Sequence, residues 1–247
     1  MSNYQNLYKL DIKIPFLPIP VKVEKVDNTC QTKDKNNNKF RCVWVGRISC
    51  EKVYSLKKVL EDINSLNEIE VEFDIIGTGD YEFIIREFIA KPHLKINFLG
   101  TITKNLNNIL KRYDVCFAMG TSALESAKLG IPTVLVDPSY KELPKYYKYR
   151  WLFETKNFVL GYMLPTDKIN DNKLSMQEIF YILSKDSLRR TVAKNCYEYV
   201  IKHHSLENVS KNLIDFVSKS TLTVQDLRQL QINNTLFHKI YKVLKKM

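Results

Sequence analysis

The sequence predicts an α/β fold, a parallel sheet flanked by helices and followed by a helical C-terminal extension. Three observations predict it. Short apolar runs of strand type recur at 42–45, 73–76, 96–99, 115–118 and 133–136. Segments of helical periodicity separate them. All seven glycines lie between positions 46 and 161, and Gly46, Gly77, Gly100 and Gly120 each closely follow one of these runs. Glycine at the carboxyl end of a strand lets the backbone approach a ligand, as it does in a doubly wound, Rossmann-like sheet.

Taken in order, residues 1–39 read as a connector. Three prolines between 15 and 20 push their predecessors into extended backbone, and 27–39 is polar. Order is expected from Phe40. Residues 53–66 place Val53, Leu56, Val59, Leu60 and Ile63 on one helical face, and 81–90 and 106–113 follow the same period. The stretch 114–137 forms one strand–helix–strand unit: an apolar run, a turn at Gly120, a short helix capped by Thr121 or Ser122, a stop at Gly130 with Pro132, and a second apolar run.

The stretch 138–158 is crowded with Lys, Arg, Tyr and Trp. It reads first as a solvated basic loop whose aromatics pack on the sheet. The alternative is a surface for an acceptor, a lipid headgroup or a partner domain. Residues 158–160 are expected as one more strand. Residues 174–218 are helical, with Ser205 and Asn208 opening the last helix. The tail, 219–247, reads as a basic helical segment, with five Lys or Arg against one Asp over 221–247. Three parts follow: a connector over 1–39, a Rossmann-like domain over 40–218, and the tail.

Composition bounds the function classes. The chain has 247 residues, 45% hydrophobic and 26% charged, which is globular and not disordered. Its net charge of +11 points to an anionic partner: nucleic acid, a membrane surface or a phosphorylated small molecule. Nucleic acid ranks last, because no helix-turn-helix or RNA-recognition signature is present and only 140–151 interleaves cations with aromatics. Five cysteines without metal spacing suit free thiols in a reducing compartment. With no leader and no run of about 18 apolar residues, the expected location is cytoplasmic, at the inner membrane face if the tail binds lipid. His203 and His204 are adjacent, point to different helix faces, and read as a surface pair. No metal, cofactor or catalytic nucleophile is assigned.

Four places carry candidate chemistry. In 46–52, Gly46 is followed by Arg47 and Lys52 at a strand end beside a helix start, where a guanidinium and an ammonium would clamp a diphosphate. Gly77 and Gly79 form a glycine-rich turn that lacks the lysine of a phosphate-binding P-loop. The third is the loop carrying Thr101 and Thr103. The fourth is the corner holding Gly120, Thr121, Ser122 and Glu125, where backbone N–H groups at a helix start favour an anion.

In this order and spacing, Gly46-Arg47 with Lys52, the Ile-Ile-Gly-x-Gly ending at Gly79, the Phe-Leu-Gly ending at Gly100, Tyr-Asp-Val ending at Val115, and Leu-Glu ending at Glu125 with Gly-Ile-Pro ending at Pro132 resemble the donor-binding half of a GT-B glycosyltransferase. They look most like the large retaining family that uses nucleotide-sugars, over residues 40–218. The resemblance implies that Arg47 and Lys52 bind the donor's pyrophosphate and that Glu125 holds the ribose hydroxyls. It implies that the Gly120–Ser122 turn meets phosphate or sugar, and that Thr101 and Thr103 lie against the base. It departs from the family at Phe117, where an earlier glutamate usually stands, and in length, since 1–39 is too short for an acceptor domain. The expected function is the donor half of a transferase acting on a polysaccharide or glycolipid, with three sources of the short length open: a separate acceptor-domain chain as partner, a truncated gene product, or an isolated donor-binding module. The alternative is a catalytically silent nucleotide- or partner-binding subunit.

Overall fold

The computed structural model describes residues 16–23, 39–164 and 172–219. Six strands form one sheet: β1 (Lys39–Val45), β2 (Glu70–Ile76), β3 (Leu94–Gly100), β4 (Val115–Ala118), β5 (Thr133–Leu135) and β6 (Arg150–Trp151). Their spatial order is β3-β2-β1-β4-β5-β6, and the first five run parallel. The sixth is antiparallel to β5, with Val134 opposite Trp151.

The apolar runs become strands because both faces of the central ones are buried. β4 is inaccessible along its whole length, and Trp44, Phe73 and Phe117 are among the largest fully buried side chains. Continuous burial is the reason a parallel sheet reads as uninterrupted Val, Ile and Phe instead of alternation. The rings of Phe73 and Phe117 lie 5.9 Å apart, across the intervening β1.

Helix α1 (Cys50–Asn64) buries Val53, Leu56, Val59, Leu60 and Ile63, the face its periodicity specifies. The next three helices are short: α2 (Glu82–Arg86), α3 (Leu106–Leu110) and α4 (Thr121–Ala127). Thus 81–90 and 106–113 shrink to five helical residues each. The C-terminal helices are α5 (Met176–Ser184), α6 (Asp186–His204) and α7 (Leu206–Ser218). Ser175 caps α5 through a reciprocal pair with Glu178. At the start of α7, the Asn208 N–H donates to Ser205 Oγ at 3.3 Å, as the sequence predicts.

Several expectations are corrected. The residues 158–160 are not a strand: Asn157 and Phe158 sit at φ 53° and 58°, left-handed backbone that no strand accepts. The residue capping α4 is Gly120, not Thr121 or Ser122, and no side chain caps this helix. His204 is fully buried, so the histidine pair is not a surface feature. The basic stretch after β5 does pack: Tyr147, Tyr149, Trp151 and Leu152 are buried, while Tyr140 and Tyr146 stay exposed.

The described residues divide into two compact units, one of 18–23, 39–164 and 172–209 and a second of 16–17 and 210–219. The first takes in part of the expected connector, because Val21 is buried and bridges Ser205. In the second, the described part of α7 exposes Leu213, Ile214 and Val217. The polar segment 27–38 and the tail beyond 219 lie outside the described residues, as does Cys30. Cys42, Cys116 and Cys196 are buried free thiols, and no described helix is long and apolar enough to cross a membrane.

Candidate functional site

The strand order reverses between β1 and β4: the chain runs outward through β2 and β3 on one side and through β5 on the other. In an open α/β sheet the crevice at the carboxyl ends on either side of such a reversal is where ligands bind. The 46–52 loop leaves β1 there, and the Gly120 turn leaves β4. The topology therefore brings Gly46, Arg47 and Lys52 to the strand end neighbouring the one that carries Gly120, Thr121, Ser122 and Glu125.

The loops after β1, β2 and β3 are laced together beyond the sheet. Gly46 N–H donates to Ile76 O at 3.0 Å, Ile48 N–H to Thr78 O at 3.0 Å, and Gly77 N–H to Gly100 O at 2.8 Å. A Cβ at Gly77 would lie 2.1 Å from Gly46 O, and one at Gly79 would lie 2.3 Å from Ile48 O. The glycine pair after β2 thus serves close approach of two backbones. Thr101 joins the row through its hydroxyl, 3.2 Å from that of Thr78. Thr103 is exposed past the end of β3, two strands out from β1.

Arg47 is exposed and Lys52 is half-buried at the start of α1. Neither side chain is drawn into a hydrogen bond or ion pair among the described residues, so both cations are available to an anion. Between them stands Glu51, which receives the Ser49 hydroxyl at 2.6 Å. That bond holds its carboxyl below the usual range, so it is ionised at neutral pH. Sequence reasoning passed over this negative charge inside the cationic loop.

Glu125 lies one turn into α4, with its carboxylate 2.5 Å from Lys128 Nζ and its side chain 37% exposed. The i,i+3 spacing carried that pairing in the sequence. The Gly120 N–H is already taken by Leu160 O at 2.7 Å. Thr121 and Ser122 supply the turn's helix-start amides instead, which have no backbone partner among the described residues. Phe117 is fully buried in β4 and does not reach the crevice.

A second constellation was missed: Asp137, just past β5, and Arg150 on β6, both fully buried. The guanidinium grips the carboxylate with two bonds of 2.8 and 3.0 Å. A carboxylate closing an apolar run at a strand's carboxyl end was the available signal.

No family model matches the chain, and no curated protein matches it. Solved structures do. A glycosyltransferase from Rickettsia africae aligns with a TM-score of 0.57 at 15% identity, over 89% of this chain and 62% of that one. The S. aureus protein TarM, as a point mutant in complex with Fondaparinux, alpha-GlcNAc-glycerol and UDP, aligns at 0.54 and 16%, over 86% of this chain and 41% of its own. The lipopolysaccharide outer core galactosyltransferase WaaB aligns at 0.53 and 15%, over 88% and 59%. The fold is that of one half of a GT-B glycosyltransferase. The chain spans about two-fifths of the length of TarM.

Proposed function

We propose that this GT-B half binds a nucleotide-sugar at the reversal between β1 and β4 and serves glycosyl transfer to a polysaccharide or glycolipid. The observation that carries the reading is the placing of two cations, Arg47 and Lys52, neither in a hydrogen bond or ion pair among the described residues, on the strand end neighbouring the Gly120 turn. A diphosphate fits there: Arg47 supplies two parallel N–H donors and Lys52 a mobile charge. Glu125 accepts the ribose hydroxyls, and Thr101 and Thr103 flank the base. TarM, similar in fold, was crystallised with UDP, which supports a nucleotide ligand. The acceptor side would come from a separate chain or domain.

One observation favours a second reading, a subunit that binds donor without turning it over. Phe117, buried in β4, stands where the family's sugar-orienting glutamate would be, so no carboxylate from that position reaches the sugar. Donor titration combined with product analysis separates the two. Binding with turnover in the presence of acceptor supports the transferase, binding without turnover supports the silent subunit, and absence of binding contradicts both.

A further inference from the structure

Asp137 carries more than a packed core needs. Its Oδ1 receives Arg150 Nη2 at 2.8 Å and the backbone N–H of Tyr162 at 2.8 Å. Its Oδ2 receives Arg150 Nη1 at 3.0 Å, the Tyr147 hydroxyl at 2.8 Å and Asn172 Nδ2 at 2.7 Å. Arg150 Nη1 also donates to Asn172 Oδ1. The Arg150 guanidinium lies over the Tyr162 ring, 4.9 Å from its centre. A buried ion pair is a poor source of stability, because desolvation offsets most of its attraction and apolar residues of the same volume often do as well. Such a pair is better explained by what it holds in place.

Among the described residues five donors reach the Asp137 carboxylate, and one of them is backbone, the Tyr162 N–H. Through it the carboxylate tethers the irregular segment 157–162. Gly161, at φ 130°, packs so closely that a Cβ would meet Pro138 Cδ at 2.9 Å and Val136 O at 3.1 Å. Leu160, one residue earlier, accepts the Gly120 N–H at 2.7 Å. Gly120 itself holds φ 62° and ψ −144° at the start of α4, backbone open to glycine and little else. A continuous run of contacts therefore leads from the buried Arg150 and Asp137 through Tyr162 and Leu160 to the turn after β4.

We infer that Asp137 is a positioning residue for the Gly120 turn, with Arg150 as its counter-ion. The pair latches 157–162 against the turn and so fixes the direction of the Thr121 and Ser122 amides. The effect on ligand rests on the donor-site reading above; the latch itself does not.

The test uses the full chain and two readouts. Native-state hydrogen exchange follows the Gly120 and Tyr162 amides, and titration with UDP, GDP and ADP gives affinity. Asp137→Ala removes the latch, and Gly161→Ala forces the segment outward without touching the carboxylate. Tyr147→Phe removes a hydroxyl that donates to the same carboxylate and accepts the Asp137 N–H at 3.2 Å, but makes no bond to the tethered segment 157–162 among the described residues. Expected are faster Gly120 exchange and affinity weakened about tenfold or more in Asp137→Ala and Gly161→Ala, with Tyr147→Phe less heat-stable but unchanged in both readouts. Should Asp137→Ala not fold, Gly161→Ala decides. Unchanged Gly120 exchange in Gly161→Ala, or equal changes in Tyr147→Phe, overturns the inference. If the wild type binds none of the three nucleotides, the donor-site reading fails while the exchange readout still judges the latch.

Discussion

A Cβ added to Gly77 would sit 2.1 Å from the carbonyl oxygen of Gly46. Neither atom is the end of a flexible side chain, so the clash is absorbed only by separating the loops after β1 and β2. Gly77 also holds φ 138°, which an L side chain rarely adopts. We predict that Gly77→Ala destabilises the chain by about 3 kcal/mol, strain and overpacking together. It should also loosen Arg47, whose neighbour Ile48 is anchored to Thr78 O. Urea unfolding measures the first effect. An unchanged midpoint would show that the loops part at no cost.

Breaking the Asp137–Arg150 pair from the cationic side leaves a buried carboxylate with three neutral donors. Arg150→Met is expected to cost about 3–5 kcal/mol, the range for removing one partner of a buried pair. Replacing both partners with apolar residues should cost less than Arg150→Met alone. Denaturation of the single and double variants checks the ordering.

The pH response should centre on His204. Ile19 O can only accept, so His204 Nδ1, 2.9 Å away, carries the hydrogen. Nε2 is then the bare nitrogen, buried without a partner among the described residues. Burial lowers the His204 pKa from 6.5; the bond to Ile19 O works against this, His203 beside it works with it, and the net direction is down. Tyr199 and Phe158 supply rings around the site, not counter-charges. Because the folded pKa lies below the unfolded value, the unfolded chain binds more protons in the window below about 6.5. Stability contributed by neutral His204 is therefore full above that value and is lost as pH falls through the window. His203, also lowered by burial, adds in the same direction. Melting curves from pH 7.5 to 5 should show this loss, and it should be smaller in His204→Gln.

Thiol reactivity should sort by burial. Desolvation pushes Cys116 and Cys196 up to about 12, which leaves almost no thiolate at neutral pH. Cys50, half-buried at the start of α1, is the described thiol that should alkylate first. Mass-spectrometric mapping after brief iodoacetamide treatment checks this. Early labelling of Cys116 would mean that β4 opens readily.

The legible part of the fold was its sheet. Runs such as 115–118 are buried on both faces, so apolar continuity alone marked them, and the glycines marked where each strand ends. Helix lengths were less legible. The period over 81–90 persists, but only Ile85 among the residues of α2 is buried, so packing does not extend the helix along it. The strand-end positions of the candidate residues were legible, because topology places them. What escaped were pairings made across long separations, Asp137 with Arg150 and Tyr162, and the buried environment of His204. Their partners come from elements that no local pattern connects.

The most direct measurement is calorimetric titration of the wild-type chain with UDP, GDP, ADP and their sugars, repeated on Arg47→Ala and Glu125→Ala. Saturable binding of at least one nucleotide is expected. Arg47→Ala should lose about 1.5–3 kcal/mol, the worth of a charge-assisted contact, and Glu125→Ala should weaken ribose-dependent binding. Saturable binding that survives both substitutions unchanged would place the ligand elsewhere and contradict the site at the β1–β4 reversal.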